Sequence, residues 1–148
     1  MSAIEVPVRV RWADIDAYGH VNNAAMFTLL EEVRISIFWR SVGFDNSSGA
    51  FGLDGTSATF IARQEIEYLK PVGLPHEELP IKVWVSRIGN ASIELDYAVP
   101  AADGSVAVKA RTVIVIVDLT TEKPRRLTER EREDLTALMD EPTEFRRR

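Results

Sequence analysis

The chain has no cysteine among its 148 residues. That excludes disulfides, a thiol nucleophile and cysteine-based metal sites, and it fits a reducing cytoplasm, the expected location. Histidine is scarce too. His20 and His76 are the two present, and they lie too far apart in sequence for a metal site of ordinary ligand spacing. No stretch of about twenty apolar residues occurs, so no membrane span is expected. Met1 to Pro7 carries Glu5 and Pro7 and no long apolar run, which does not read as a signal peptide. Basic residues are outnumbered, 18 Lys and Arg against 23 Asp and Glu, for a net charge of −5. No basic patch precedes residue 120, so a nucleic-acid partner is not expected.

What is present suits one folded domain over residues 1–148, with 45% hydrophobic content. Its centre is the stretch from Arg11 to Arg40. Val8, Val10 and Trp12 alternate with Arg9 and Arg11, which predicts a strand. Ala17, Tyr18 and Gly19 read as a turn. From Asn22 or Asn23 onward, Met26, Leu29, Leu30, Val33 and Ile37 fall at i, i+3, i+4, i+7 and i+11, one helical stripe. Phe27, Ile35, Phe38 and Trp39 add apolar side chains on other faces, which predicts a buried helix. The first turn of such a helix carries backbone N–H groups with no intrahelical partner, and these can hold an anion or polarise a carbonyl oxygen. A bend at Gly19 is expected to fold Asp14 and Asp16 back over that turn. A carboxylate beside a carbonyl held by helix amides suggests acyl-transfer chemistry.

Strands follow a loop over Ser41 to Thr56, which is longer than most connections. Thr59 to Leu69 is expected to be the second strand, with Phe60, Ala62, Ile66 and Tyr68 on one face. Ile81, Val83 and Val85 mark a third. Gly89-Asn90 is a hairpin signal, and Ile93, Leu95, Tyr97 and Val99 mark a fourth strand. Asp103-Gly104 precedes a fifth over Val106 to Val117, apolar on both faces and so predicted to be central. One buried helix and hairpin-linked strands make an α+β domain with an antiparallel sheet. Thr128 to Glu131 is a capping-box pattern predicting a short helix over about Glu129 to Met139, and residues 144–148 read as a frayed tail.

Arg11-Trp12-Ala13-Asp14-x-Asp16-x-x-Gly19-His20-Val21-Asn22-Asn23, followed by Glu31-Glu32-x-Arg34, resembles the hotdog-fold acyl-CoA thioesterases of the 4-hydroxybenzoyl-CoA thioesterase type. The similarity in element order runs from about Val6 to Asp118, leaving 119–148 as a C-terminal extension. It implies a single hotdog domain, a five-stranded antiparallel sheet wrapped around one long helix. It also implies hydrolysis of an acyl-CoA with no metal or bound cofactor, coenzyme A being part of the substrate. Two or four identical subunits are expected, with each site at a seam between sheets. Phe27, Phe38 and Trp39 are candidates for that contact.

Each candidate residue also has a plainer reading. An aspartate before a turn is usually a turn or cap residue. Within the motif, the family's reacting carboxylate falls on Asp16, as nucleophile or as general base. Asp14 reads as structural, pairing with Arg11 or with loop amides. His20 is either a fixed edge histidine or the group that orients Asp16 or donates to the substrate. Asn22 and Asn23 stand where caps belong, and the family's carbonyl-polarising amide falls on Asn23. Gly19, Asn22, Met26, Thr59 and Phe60 are the substrate-binding candidates. Glu31 and Arg34, at i and i+3, are expected to pair on the helix. A rival thioesterase subfamily carries its carboxylate on the helix, where Glu31 or Glu32 would serve. The alternatives from other classes are a hotdog enoyl-CoA hydratase or dehydratase, a non-catalytic acyl-CoA sensor, and an acyl-ACP thioesterase. Met26, Leu29 and Leu30 offer no strong hydrogen-bond partner, which predicts an aliphatic or plain aryl acyl group, not a hydroxylated or dicarboxylic one.

Overall fold

A computed structural model of the chain describes residues 3–38 and 56–146. Five strands, β1 (Ile4–Val8), β2 (Ser57–Tyr68), β3 (Leu79–Ile88), β4 (Ser92–Pro100) and β5 (Val106–Asp118), form one sheet in the order β1-β3-β4-β5-β2. Every pairing is antiparallel. The long helix α1 (Asn23–Phe38) buries its predicted stripe of Met26, Leu29, Leu30, Val33 and Ile37. Opposite it lie the alternate residues of the strands: Val6 and Val8, Ile81, Val83 and Val85, Ile93, Leu95 and Tyr97, and Ile114 and Ile116. This is the hotdog arrangement that the motif implied. Its cause is simple: a period of two on the sheet meets a period of 3.6 on the helix across one apolar layer.

β5 is central as predicted, flanked by β4 and β2. The β3–β4 turn sits one residue later than the Gly89-Asn90 signal. The Gly89 N–H donates to the Ser92 carbonyl at 2.7 Å, leaving Asn90 and Ala91 as the turn. Gly104, at φ +85°, closes the β4–β5 hairpin and needs glycine's freedom there.

Three expectations require correction. The lead-in strand stops at Val8; Trp12 opens a single 3₁₀ turn, Trp12–Asp14, and is 80% exposed. β2 does not keep a simple alternation. A bulge at Ala62 shifts the register between Ile61 and Arg63, so Thr59 and Ile61 share the helix-facing side with Gln64, Ile66 and Tyr68. Phe60 lies on the other side, 63% exposed. The C-terminus is not frayed through Arg146. After α2 (Glu129–Thr136), which ends sooner than expected, the chain pairs with β3 and then straps across the outer face of the sheet. Trp84 Nε1 donates to the Glu141 carbonyl, the Thr143 N–H to Asp96, Lys109 Nζ to the Glu144 carbonyl and the Arg146 N–H to Glu67. The loop over Ser41 to Thr56 lies outside the described residues except for Thr56, as does Trp39.

The strap is organised by Asp96, fully buried on β4. It accepts from Ser86 Oγ at 2.8 Å, from Arg111 Nε and Nη2 at 2.7 and 2.9 Å, and from the Thr143 N–H at 2.7 Å. The Arg111 guanidinium also stacks on Phe145, 5.2 Å from the ring centroid. Its pKa is raised, chiefly by the hydrogen bonds to Asp96. Removing one partner of such a pair strands the other. Asp96→Ala is therefore expected to cost about 3–5 kcal/mol in urea unfolding. A loss below about 1 kcal/mol would show that the strap is not anchored there.

Candidate active site

The motif loop is knitted to itself and to the β2–β3 connection by backbone hydrogen bonds. The Asp16 N–H donates to the His20 carbonyl at 2.8 Å, the Gly19 N–H to the Asp16 carbonyl at 3.1 Å, and the Val21 N–H to the Val72 carbonyl at 2.6 Å. Gly19 has φ +80°, so the predicted bend is real and needs a residue that tolerates that region. His20 bridges to Gly73 through its backbone. Its imidazole makes no hydrogen bond among the described residues. What His20 gives Asp16 is its own N–H, at 3.3 Å.

Asp16 is half-buried. Its Oδ1 accepts from the Tyr18 N–H at 2.9 Å as well as from His20. This is the plainer reading, an Asx-type turn, and it uses one oxygen. Oδ2 has no partner among the described residues. Asp14 behaves as its structural reading predicted. It is 2% exposed and accepts from Arg11 through the backbone N–H at 2.8 Å, Nε at 3.4 Å and Nη2 at 3.0 Å. The Arg11 side-chain hydrogen bonds hold its carboxyl below the ordinary value.

The helix start can be accounted for amide by amide. A helix leaves its first four N–H groups without intrahelical partners. The Asn22 N–H donates to the Asp14 carbonyl at 2.8 Å. Ala24 and Ala25 donate to Asn22 Oδ1 at 2.8 and 3.2 Å, so Asn22 is the N-cap. The fourth, the exposed Asn23 N–H, donates to nothing among the described residues. The Asn23 carbonyl meanwhile accepts from Tyr68 Oη at 2.6 Å, tying the helix start to β2. Burial raises the Tyr68 pKa, so the phenol keeps the proton it donates.

From this point the face bearing Asn23, Phe27, Glu31 and Ile35 runs beside β2 towards a cavity of about 490 Å³. That cavity is lined by Glu31, Arg34, Ile35, Phe38, Thr59, Ile61 and Ile114. Thr59 is thus in a cavity wall and Phe60 is on the opposite face of the sheet, while Met26 is sealed in the core at 1% exposure. Glu31 and Arg34 do not pair. Arg34 turns inward instead, and its side chain is what the sequence reading missed. Among the described residues no three His, Cys, Asp or Glu side chains cluster as a metal site requires, and no helix is long and apolar enough to cross a membrane.

Residues 10–143 match the thioesterase-like superfamily. The chain belongs to that family. It is 33% identical over 128 residues to the uncharacterized protein YsmA of Bacillus subtilis, covering 86% of this chain and 82% of that protein. A thioesterase from Thermus thermophilus, solved with coenzyme A and Zn, is 32% identical with a TM-score of 0.69, covering 91% of this chain and 93% of that one. YbaW, a probable thioesterase from Escherichia coli, is 26% identical with a TM-score of 0.71, covering 91% and 98%. The thioesterase match spans every strand of the sheet after β1, together with α1, α2 and the motif loop.

Asp14 gives this thioesterase loop a pH signature. A carboxyl with a lowered folded pKa stabilises fully above its unfolded value, here near the ordinary 3.8, and loses that contribution as pH falls through the folded value. Asp14→Asn should cost about 1–2 kcal/mol at neutral pH, discounted for an Arg11 that is largely exposed. It should also flatten the fall in urea stability between about pH 5 and pH 2. An unchanged pH profile would contradict the pairing.

Proposed function

We propose that the protein hydrolyses an acyl-CoA thioester to a free acid and CoA. The single observation behind this is the open Asn23 N–H at a helix start whose other three amides are satisfied. A preorganised donor with nothing to donate to suits a developing oxyanion. The free oxygen of Asp16, on the loop that leads into the same helix start, attacks the thioester carbonyl carbon or takes a proton from a water that does. In either route the carbonyl oxygen gains charge opposite Asn23, the C–S bond breaks and CoA leaves as a thiolate, which takes its proton from Asp16 on the water route and from solvent on the direct one. On the direct route water then cleaves the acyl–Asp16 anhydride and restores the carboxylate. Gly19 and His20 shape the turn that presents Asp16, and Asn22 keeps Ala24 and Ala25 from competing for the substrate oxygen. The acyl group runs along α1 beside β2 towards Thr59. The bound coenzyme A of the Thermus thermophilus relative supports the choice of thiol. β2 is an edge strand, and a second copy pairing along it covers this face.

A thiol-release screen over short, long, branched and aromatic acyl-CoAs should find turnover, by a protein that light scattering shows to be at least a dimer. Asp16→Asn should keep its melting temperature and lose at least about 10²-fold in kcat. Hydration of an enoyl-CoA without CoA release would replace this reading with a hydratase, and normal turnover by Asp16→Asn would shift the reacting carboxylate to Glu31 or Glu32.

A further inference from the structure

Arg34 is a buried cation without a counter-ion among the described residues. It is 9% exposed, and Nη1 donates to three neutral oxygens at long range: Gln64 Oε1 at 3.5 Å and Tyr97 Oη and Thr112 Oγ1 at 3.4 Å each. Nε and Nη2 donate to nothing among the described residues, and no carboxylate among them forms an ion pair with the guanidinium. Two of the three acceptors do not need it. Tyr97 Oη donates to Thr112 Oγ1 at 3.0 Å, and burial pushes the Tyr97 pKa up, so that bond stays formed. An unpaired charge out of water is costly, and among the described residues only these three long hydrogen bonds offset it.

The guanidinium lies in the wall of the 490 Å³ cavity, whose other walls are mostly apolar: Ile35, Phe38, Ile61 and Ile114. Glu31 is at the exposed rim, where solvent screens it. Arg34 lies about 16 Å along the helix from Asn23 at roughly 1.5 Å per residue, less the reach of a side chain that leans back towards the N-terminus. A helix with the candidate carbonyl-binding amide at its start and a buried guanidinium in a mostly apolar cavity towards its end fits a chain with a thioester at one terminus and an anion at the other. We propose that Arg34 is a specificity residue that binds a terminal carboxylate, and that the substrates are mono-CoA thioesters of dicarboxylic acids. This rests on the thioesterase reading, and it reverses the expectation of a purely apolar acyl group drawn from Met26, Leu29 and Leu30.

The test compares length-matched pairs, adipoyl-CoA with hexanoyl-CoA and sebacoyl-CoA with decanoyl-CoA. The wild type should favour the carboxylated member of at least one pair by about tenfold or more in kcat/KM. Arg34→Met should abolish that ratio, and Arg34→Lys should keep part of it. A purely structural arginine would lower both members of each pair alike. That outcome, or a wild-type preference for the uncharged member of both pairs, overturns the proposal while leaving thioester hydrolysis intact. If no thioester is cleaved, the functional reading fails first, and thermal melting decides the site separately. Free sebacate should raise the melting temperature of the wild type more than decanoate does, and should not raise that of Arg34→Met. No difference between the two acids on the wild type overturns the site even if the variant does not fold.

Discussion

Burial of one helical stripe fixes the rest of the molecule. Met26, Leu29, Leu30, Val33 and Ile37 have to leave water, and the alternate residues of β1, β3, β4 and β5 are the surface that receives them, with Ile61 and Ile66 of β2 partly buried at its margin. At about 1.5–3 kcal/mol for each large apolar side chain fully buried, this layer outweighs any single polar contact in the chain. Once the stripe is seated, α1 has no freedom to rotate. Its first turn then faces the motif loop, and its outer face lies along β2.

That placement turns an ordinary helix start into a candidate site. A helix start is usually closed by caps and water. Here Asn22 uses one side-chain oxygen for two amides, its own N–H goes to the Asp14 carbonyl, and the Asn23 N–H has no partner among the described residues. Asp14 also shows why the two aspartates of the motif are not equivalent. One is buried and commits both oxygens to Arg11; the other commits one oxygen to its turn and keeps the second. The same pattern recurs at Arg34, where acceptors that already satisfy each other leave a guanidinium available.

Much of this was legible in the residues. The stripe, the α+β class, the central β5 and the capping box at Thr128 rest on periodicity and local chemistry, which a sequence displays directly. The motif residues assembled at one helix end because they are close in the chain. The failures share a different cause. The bulge at Ala62 inserts one residue into β2, and a period-two reading carried past it puts Phe60 on the wrong face. Asp96 and Arg111 meet Thr143 only because a strap crosses the sheet, a contact with no local signal. Arg34 looked like a surface partner of Glu31 at i and i+3, yet the helix rotation set by the stripe turned it into the core instead. Its acceptors, Tyr97 and Thr112, lie far away in sequence.

The central claim is that one backbone amide receives the substrate carbonyl. An acyl-CoA analogue with a methylene in place of the thioester sulfur keeps the carbonyl and cannot be cleaved. Titrated into ¹⁵N-labelled protein, it should move the Asn23 amide proton downfield by more than the Ala24 and Ala25 amides, which Asn22 already occupies. An Asn23 amide that does not respond, or a response centred on Ala24 and Ala25, would contradict the account.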